Sequence, residues 1–149
     1  MKKAIFTMMM LLAGAAPASA HDCSMKKFSI SEVKIAAVQK IWGDGIVAIG
    51  KADNPKQAAE KQIDTLYAYD LGPVFFKPTR AAEMPFRDTK EQALSYFVGG
   101  SVKEDTGFAL TPFEKVRFEN HAIHIDCDYA IAQGHYYFTP PNINEIKVE

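Results

Sequence analysis

The residues of this 149-residue chain with the most obvious capacity for chemistry are its four histidines and the acidic residues near them. His121 and His124 stand three positions apart in a segment that alternates like a β-strand. Side chains of a strand alternate between its faces, so these two imidazoles cannot chelate one ion as an i, i+3 helical pair could. His124, Asp126 and Asp128 would share a face only in a straight strand. A turn predicted around Cys127 breaks that line, so we predict no metal site and no cofactor.

The short stretch Asp126-Cys127-Asp128 resembles the acidic and cysteine signature of phosphoribosyl-AMP cyclohydrolase, which would imply a hydrolase. That family is cytoplasmic and uses three cysteines for zinc, whereas this chain has two cysteines. A β-turn in which the aspartates make local hydrogen bonds is the better interpretation.

The first twenty residues have the pattern of a secretory signal peptide. Lys2 and Lys3 form a basic start, residues 4–16 form an apolar run too short to span a bilayer, and Ala18-Ser19-Ala20 is a small-residue cleavage site. We therefore expect an exported protein, periplasmic or secreted. Its parts would be a signal peptide over 1–20, an N-terminal tail over 21–30 and one domain over 31–149.

The charge of the mature chain excludes two classes of partner. Without Lys2 and Lys3, 15 basic residues stand against 18 acidic ones, a net charge of −3. Nucleic acids and anionic membranes both require a basic excess, so we predict neither as a partner.

Cys23 and Cys127 are the two cysteines. An oxidising compartment would permit them to form a disulfide that tethers the N-terminal tail. Two unlinked thiols are the alternative, and both remain open because the sequence does not fix the distance between them.

A first helix is predicted from about residue 31 to about 51. Ser29 and Glu32 form a capping box, and apolar residues follow at helical spacing. Gly43 and Gly45 interrupt this helix at a cost near 1 kcal/mol each. We expect a neighbouring element to pack closely there. The apolar stripe comprises Ile35, Val38, Trp42, Ile46 and Ile49.

Two more helices have clear start signals. Asn54-Pro55 is an N-cap followed by proline at the first helical position, and that helix is predicted to end near 67–69. Asp88 or Thr89, with Glu91 or Gln92 behind, caps a third helix that ends at Gly99-Gly100.

The strands follow a different period. Val74-Phe75-Phe76, after the break at Gly72-Pro73, predicts a first strand between the second and third helices. Later segments alternate with a period of two and predict strands over 113–120, 122–126 and 129–139, with another beginning at 145–149. In the 129–139 strand, Tyr136 and Phe138 face away from His135 and Tyr137.

A strand that pairs with the whole of 129–139 would need about ten residues, and the segment 145–149 has about half that number. We therefore expect the chain to be a truncated reading of a longer protein.

The element order predicts an α+β fold in which three helices pack on a strongly curved antiparallel sheet. Such a cone leaves an apolar cavity between the concave sheet face and the helices, where ligands bind. The segment IDTLYAYDLGPVFFKPT resembles the passage from helix to strand in the NTF2-like or SnoaL-like (cystatin-like) fold.

A closer resemblance is to the iota-class carbonic anhydrases, over about residues 42–149. It is carried by WGDGIVAIGKA, AAEKQIDTLYAYDLGPVFFKPT, ALSYFVGG and YYFTP. The resemblance implies reversible hydration of CO2, in some members without a metal, by a threonine, a tyrosine and a His-x-Ser from a His-His-Ser-Ser strand. Thr79 and Tyr96 match the first two positions. The third is absent from the sequence, so we expect an incomplete site.

A non-enzymatic module of the same fold, which binds a small ligand or mediates association, is the alternative, because fold alone does not decide function. Five aromatic residues would then form a ligand pocket or the wall of a homodimer, although plain core packing would also explain them. These residues are Trp42, Tyr67, Phe75, Phe97 and Tyr137.

Overall fold

The computed structural model describes residues 30–148, which form three α-helices, a short 3-10 turn and a three-stranded antiparallel sheet. The predicted α+β order of helices followed by antiparallel strands is confirmed. The predicted signal peptide, most of the N-terminal tail, and Cys23 lie outside the described residues. The elements are α1 (Glu32–Lys51), α2 (Pro55–Leu66), α3 (Lys90–Val98), the 3-10 turn (Phe108–Leu110), β1 (Lys115–Asp126), β2 (Tyr129–Thr139) and β3 (Ile146–Val148).

Each helix begins at a side chain that accepts a hydrogen bond from a free backbone N–H. The Asn54 side chain caps α2 through the Gln57 N–H, and Pro55 is the first helical residue, as predicted. Thr89 and Gln92 form the capping box of α3, and Gly99 ends that helix with φ near 78°. The cap of α1 was predicted wrongly. Ser31 accepts from the Lys34 N–H, because Glu32 is already the first helical residue.

Gly43 and Gly45, two of the three glycines of α1, are sites of close packing, as predicted. A Cβ at Gly43 would lie 3.1 Å from Cβ of Val116 on β1. A Cβ at Gly45 would overlap the side-chain amide of Gln62 on α2, which also donates to the Trp42 carbonyl. The missing side chains therefore let α2 and the sheet approach α1.

The sheet has the order β1-β2-β3, and the β1–β2 hairpin is its main part. One continuous strand, Lys115–Asp126, replaces the two strands predicted over 113–120 and 122–126. A β-bulge between Asn120 and Ala122 shifts the register there without ending the pairing. The hairpin turn at Cys127, with φ of 41°, agrees with the predicted β-turn. Cys127 is disulfide-bonded.

The first predicted strand, Val74-Phe75-Phe76, is wrong: this segment forms no strand in the described part of the chain. The Phe76 carbonyl accepts from the Arg87 N–H, and the Phe76 N–H bonds locally to the Val74 carbonyl. Side chains that favour strands are therefore not sufficient to make residues 74–76 a strand, because no described strand lies beside them to provide backbone hydrogen-bond partners.

The core lies between the helices and one face of the sheet. Its buried members are Ile46, Ile49, Ala59, Ile63, Ala93, Tyr96, Phe97, Ala109, Phe113 and Phe138. Val38, predicted to belong to the buried stripe of α1, is 52% exposed. None of the helices within residues 30–148 has the length and apolar character needed to cross a membrane.

Candidate active site

A cavity of about 90 Å³ lies between α1, α3, the inner face of the sheet and the segment 76–80. Aromatic rings make up most of its wall, and hydroxyl and cationic groups lie among them. The lining residues are Trp42, Phe76, Lys77, Pro78, Thr79, Arg80, Tyr96, Phe97, Phe108, Phe113, Tyr136, Phe138, Ile146 and Val148. This space is large enough for a ligand of a few heavy atoms.

A β-turn positions Thr79 and Arg80 at the cavity. The Ala81 N–H donates to the Pro78 carbonyl at 3.3 Å, which leaves Thr79 and Arg80 as the two central residues of the turn. Pro78 is buried and anchors the turn, whereas Thr79 is exposed at the cavity mouth. The Thr79 hydroxyl lies 3.0 Å from the hydroxyl of Tyr136 on β2.

Tyr96 extends from α3 into the cavity wall and is 8% exposed. Burial raises the pKa of its phenol above the ordinary value, and a hydrogen bond from the Arg80 backbone N–H offsets part of this effect. The phenol therefore stays protonated at neutral pH. Its O–H is therefore available as a donor to a ligand.

A second tyrosine, partly buried, packs against the core. The Trp42 indole N–H donates to the Tyr67 hydroxyl at 2.8 Å, and burial raises the pKa of Tyr67. The Tyr67 ring packs against Phe76 and Phe97, which line the cavity. Tyr67 itself lies behind that wall, so it supports the cavity rather than lining it.

Two cationic side chains border the cavity. The Arg80 guanidinium lies 5.8 Å above the Phe108 ring, and Lys77 also contributes to the lining. Cations at the rim of an apolar cavity favour anionic ligands.

Besides Tyr67, two more of the predicted pocket residues, Phe75 and Tyr137, do not line the cavity. Phe75 is fully exposed, because neighbouring residues of an extended segment point in opposite directions and Phe76 points inward. Tyr137 lies on the outer face of β2, where the Arg117 guanidinium stacks on its ring at 3.6 Å. Trp42 and Phe97 line the cavity.

The sequence reasoning missed Tyr136, which contributes a hydroxyl to the cavity. Tyr136 and Phe138 were correctly placed on one face of β2, but Tyr137, from the other face, was chosen for the pocket. The residues that share a strand face with each tyrosine indicate which face is buried. Tyr136 shares its face with Phe138, which is buried, whereas Tyr137 shares its face with His135 and Thr139.

Carboxylates hold the segment that carries Thr79. The Glu104 carboxylate accepts from the backbone N–H groups of Ala82, Glu83 and Met84 at 2.8 to 2.9 Å. These bonds lower the pKa of Glu104 to about 2. Arg87, at the end of the same segment, is buried, binds Asp105 and lies 5.8 Å above the Tyr96 ring.

The described lining of the cavity contains no histidine, cysteine, aspartate or glutamate. Within residues 30–148, no group of three or more such side chains could hold a metal ion. The hydroxyls, the backbone and the two cations can therefore bind and polarise a small ligand. The side chains present there do not include a base for neutral pH.

Comparison with known proteins gives consistent matches. Residues 33–149 match the family model of the metal-independent carbonic anhydrases. A metal-independent carbonic anhydrase of Nostoc sp. strain PCC 7120 is 44% identical over 121 residues, which cover 74% of this chain and 58% of that protein. A crystal structure of an iota-carbonic anhydrase from a cyanobacterium, complexed with bicarbonate, superimposes with a TM-score of 0.75 at 39% identity. That match covers 80% of this chain and 78% of the other.

The chain thus spans 58% of the length of the curated relative that it matches. The family model covers most of the described domain, including the β-turn with Thr79, the helix with Tyr96 and the strand with Tyr136. By these matches the chain belongs to the metal-independent carbonic anhydrase family.

Proposed function

We propose that this protein catalyses the reversible hydration of CO2 in the cavity, with Thr79 and Tyr96 as the groups that contact the substrate. The observation that carries the proposal is the pair of hydroxyls, from a β-turn and from α3, on one mostly aromatic wall. Family membership supports the same reaction, as does a related structure that holds bicarbonate.

The cavity suits both sides of this reaction. CO2 is small and apolar and fits an aromatic-lined space, whereas bicarbonate is an anion and is attracted by Arg80 and Lys77. When a water oxygen attacks the carbon of CO2, negative charge develops on the CO2 oxygens. Donors that already point at these oxygens stabilise that charge. The O–H groups of Tyr96 and Thr79 would serve as these donors.

The water must also lose a proton, and neither hydroxyl is a base at neutral pH. Among the described residues of the wall, none provides the acceptor. We propose that the proton passes either to buffer or to a residue outside residues 30–148. The family resemblance assigns this task to the His-x-Ser of a strand that the sequence does not contain.

Isotope exchange between water and ¹⁸O-labelled CO2 tests the proposal on the purified chain. We expect exchange above the uncatalysed rate for the wild type and at least a tenfold loss in Tyr96→Phe, which removes the hydroxyl and keeps the ring. Tyr129→Phe, at the half-exposed end of β2, is the matched control and should keep the wild-type rate.

Bicarbonate binding without turnover would instead favour the alternative, a non-enzymatic small-ligand module. One observation favours it: the described lining includes no base. A wild-type rate equal to the uncatalysed rate rejects the enzyme proposal, and a full rate in Tyr96→Phe rejects the assigned site.

We further propose that the fold is NTF2-like and that the protein is exported, periplasmic or secreted, with residues 1–20 as a signal peptide. The disulfide at Cys127 supports an oxidising compartment. Edman sequencing of the protein from expressing cells should find His21 first, and an intact Met1 would contradict export by cleavage.

We also propose a homodimer that forms through the outer face of the sheet, for which sedimentation velocity is the test.

A further inference from the structure

We propose that Tyr136 is a positioning residue that turns the Thr79 hydroxyl into a hydrogen-bond donor for bicarbonate. This inference deepens the proposed function and rests on it. The two oxygens lie 3.0 Å apart, although 57 positions separate the residues along the chain. The contact joins the 78–81 turn to the central strand of the sheet, at the mouth of the cavity.

The chemistry of the two hydroxyls sets the direction of the bond. A phenol is more acidic than an aliphatic alcohol, so it is the better donor, and the aliphatic oxygen is the better acceptor. We therefore assign Tyr136 as donor and Thr79 as acceptor. Thr79 has only one proton, and this arrangement leaves that proton for a ligand oxygen. The reverse arrangement would consume it inside the protein.

The Tyr136 ring is packed so that its hydroxyl has a fixed position. It stacks on Phe118 at 5.7 Å and meets the edges of Trp42 at 6.1 Å and Phe138 at 5.1 Å, measured between ring centroids. Rings packed on several sides do not reorient easily, because the core around them is close-packed. Thr79, in contrast, is exposed, although the turn that carries it is anchored by buried Pro78. The strand therefore fixes the hydroxyl that the exposed Thr79 side chain meets.

Tyr96 brings a second hydroxyl to the same cavity wall from α3. Burial raises the pKa of its phenol, so the O–H keeps its proton at neutral pH and can donate it to a ligand. Thr79, oriented by Tyr136, and Tyr96 thus present two donors to the cavity. Two such donors can bind two oxygens of one bicarbonate ion.

The test measures bicarbonate affinity on the full chain, by line broadening of ¹³C-labelled bicarbonate in NMR titrations. Tyr136→Phe removes the hydroxyl and keeps the ring. We expect its dissociation constant to rise roughly three- to tenfold, the range for one lost hydrogen bond. Tyr137→Phe, one residue away on the outer face, is the matched control and should leave the affinity unchanged.

A double-mutant cycle distinguishes positioning from packing. Thr79→Val should weaken binding by about as much as Tyr136→Phe or more. In the Thr79→Val background, Tyr136→Phe should change the dissociation constant less than about twofold, because its effect passes through Thr79. Thr79→Ser, which restores the hydroxyl, should recover most of the lost affinity. Urea midpoints of all variants check that the fold is intact.

Every outcome decides the inference. Wild-type affinity in Tyr136→Phe overturns it while the proposed function stands. An undiminished effect in the Thr79→Val background, or a Tyr136→Phe protein that does not fold, assigns Tyr136 a role in packing and also overturns it. Absence of bicarbonate binding and of isotope exchange in the wild type overturns the inference and the proposed function together.

Discussion

The guanidinium of Arg87 lies 2.6 Å from the carboxylate of Asp105, and neither side chain is appreciably exposed. The same guanidinium donates to the Met84 and Phe86 carbonyls and lies over the Tyr96 ring. This buried ion pair therefore connects the segment after the Thr79 turn with the loop that follows α3, directly beneath a proposed catalytic residue.

Loss of the arginine should be among the most destabilising single changes in the described domain. Arg87→Met leaves the Asp105 carboxylate buried without its partner, and we expect the free energy of unfolding to fall by about 3 to 5 kcal/mol. Urea denaturation provides the measurement. Lys40→Met, which breaks an exposed ion pair with Asp44, is the control and should cost less than about 1 kcal/mol.

The double variant Arg87→Met, Asp105→Leu removes both charges and should cost less than Arg87→Met alone. If Arg87→Met and Lys40→Met lowered the free energy of unfolding equally, the buried ion pair would contribute no more to stability than the exposed one.

Glu104 should contribute to stability in a pH-dependent manner. Hydrogen bonds from Glu83, Ala82 and Met84 lower the pKa of its carboxyl to about 2, below the ordinary value near 4.5. Because the folded state holds the ionised form, the contribution is fully present above pH 4.5. It is lost as the pH falls toward 2.

Urea midpoints of the wild type and Glu104→Gln from pH 7 to pH 2.5 test this expectation. The wild type should be the more stable of the two at pH 7, and the difference should shrink below pH 4.5. Glu60→Gln, on the exposed side of α2, is the control for the loss of one charge. A difference that stays constant with pH would contradict the role of the three N–H groups.

Gly134 should not tolerate a side chain. It lies opposite the β-bulge of β1, and a Cβ there would be 2.2 Å from the Glu119 carbonyl oxygen. Backbone cannot move aside easily, so Gly134→Ala should lower the free energy of unfolding by about 1 to 3 kcal/mol. Gln133→Ala, at the exposed neighbouring position, should stay within about 0.5 kcal/mol of the wild type. Equal urea midpoints for the two variants would contradict this account of the bulge.

Arg80 should attract the anionic product. Arg80→Met keeps a long apolar side chain near Phe108 and removes the charge, so we expect bicarbonate to bind about two- to fivefold more weakly, the range for an exposed charge. The wild-type dissociation constant should rise with salt, and the variant should depend on salt less steeply. Lys61→Met, on the exposed side of α2, is the control. The same salt dependence in Arg80→Met and the wild type would rule out this contribution.

Much of the candidate site could be located from the sequence, although its geometry could not. The resemblance selected Thr79 and Tyr96, and both line the cavity; their catalytic roles remain predictions. Tyr136 was missed because alternation places residues on two faces without stating which face is buried. Phe75 was misplaced because a bulky aromatic in a predicted strand was assumed to point inward, and no strand forms there in the described chain.

The sequence by itself determined the features that depend on a few neighbouring residues: a helix start at Asn54-Pro55, another at Asp88 or Thr89, the helix end at Gly99 and the hairpin turn at Cys127. These depend on local hydrogen bonds and backbone conformation, which short segments specify. Only the tertiary structure decided that Thr79 meets Tyr136, because that contact depends on how a turn and a strand 57 positions apart are packed together.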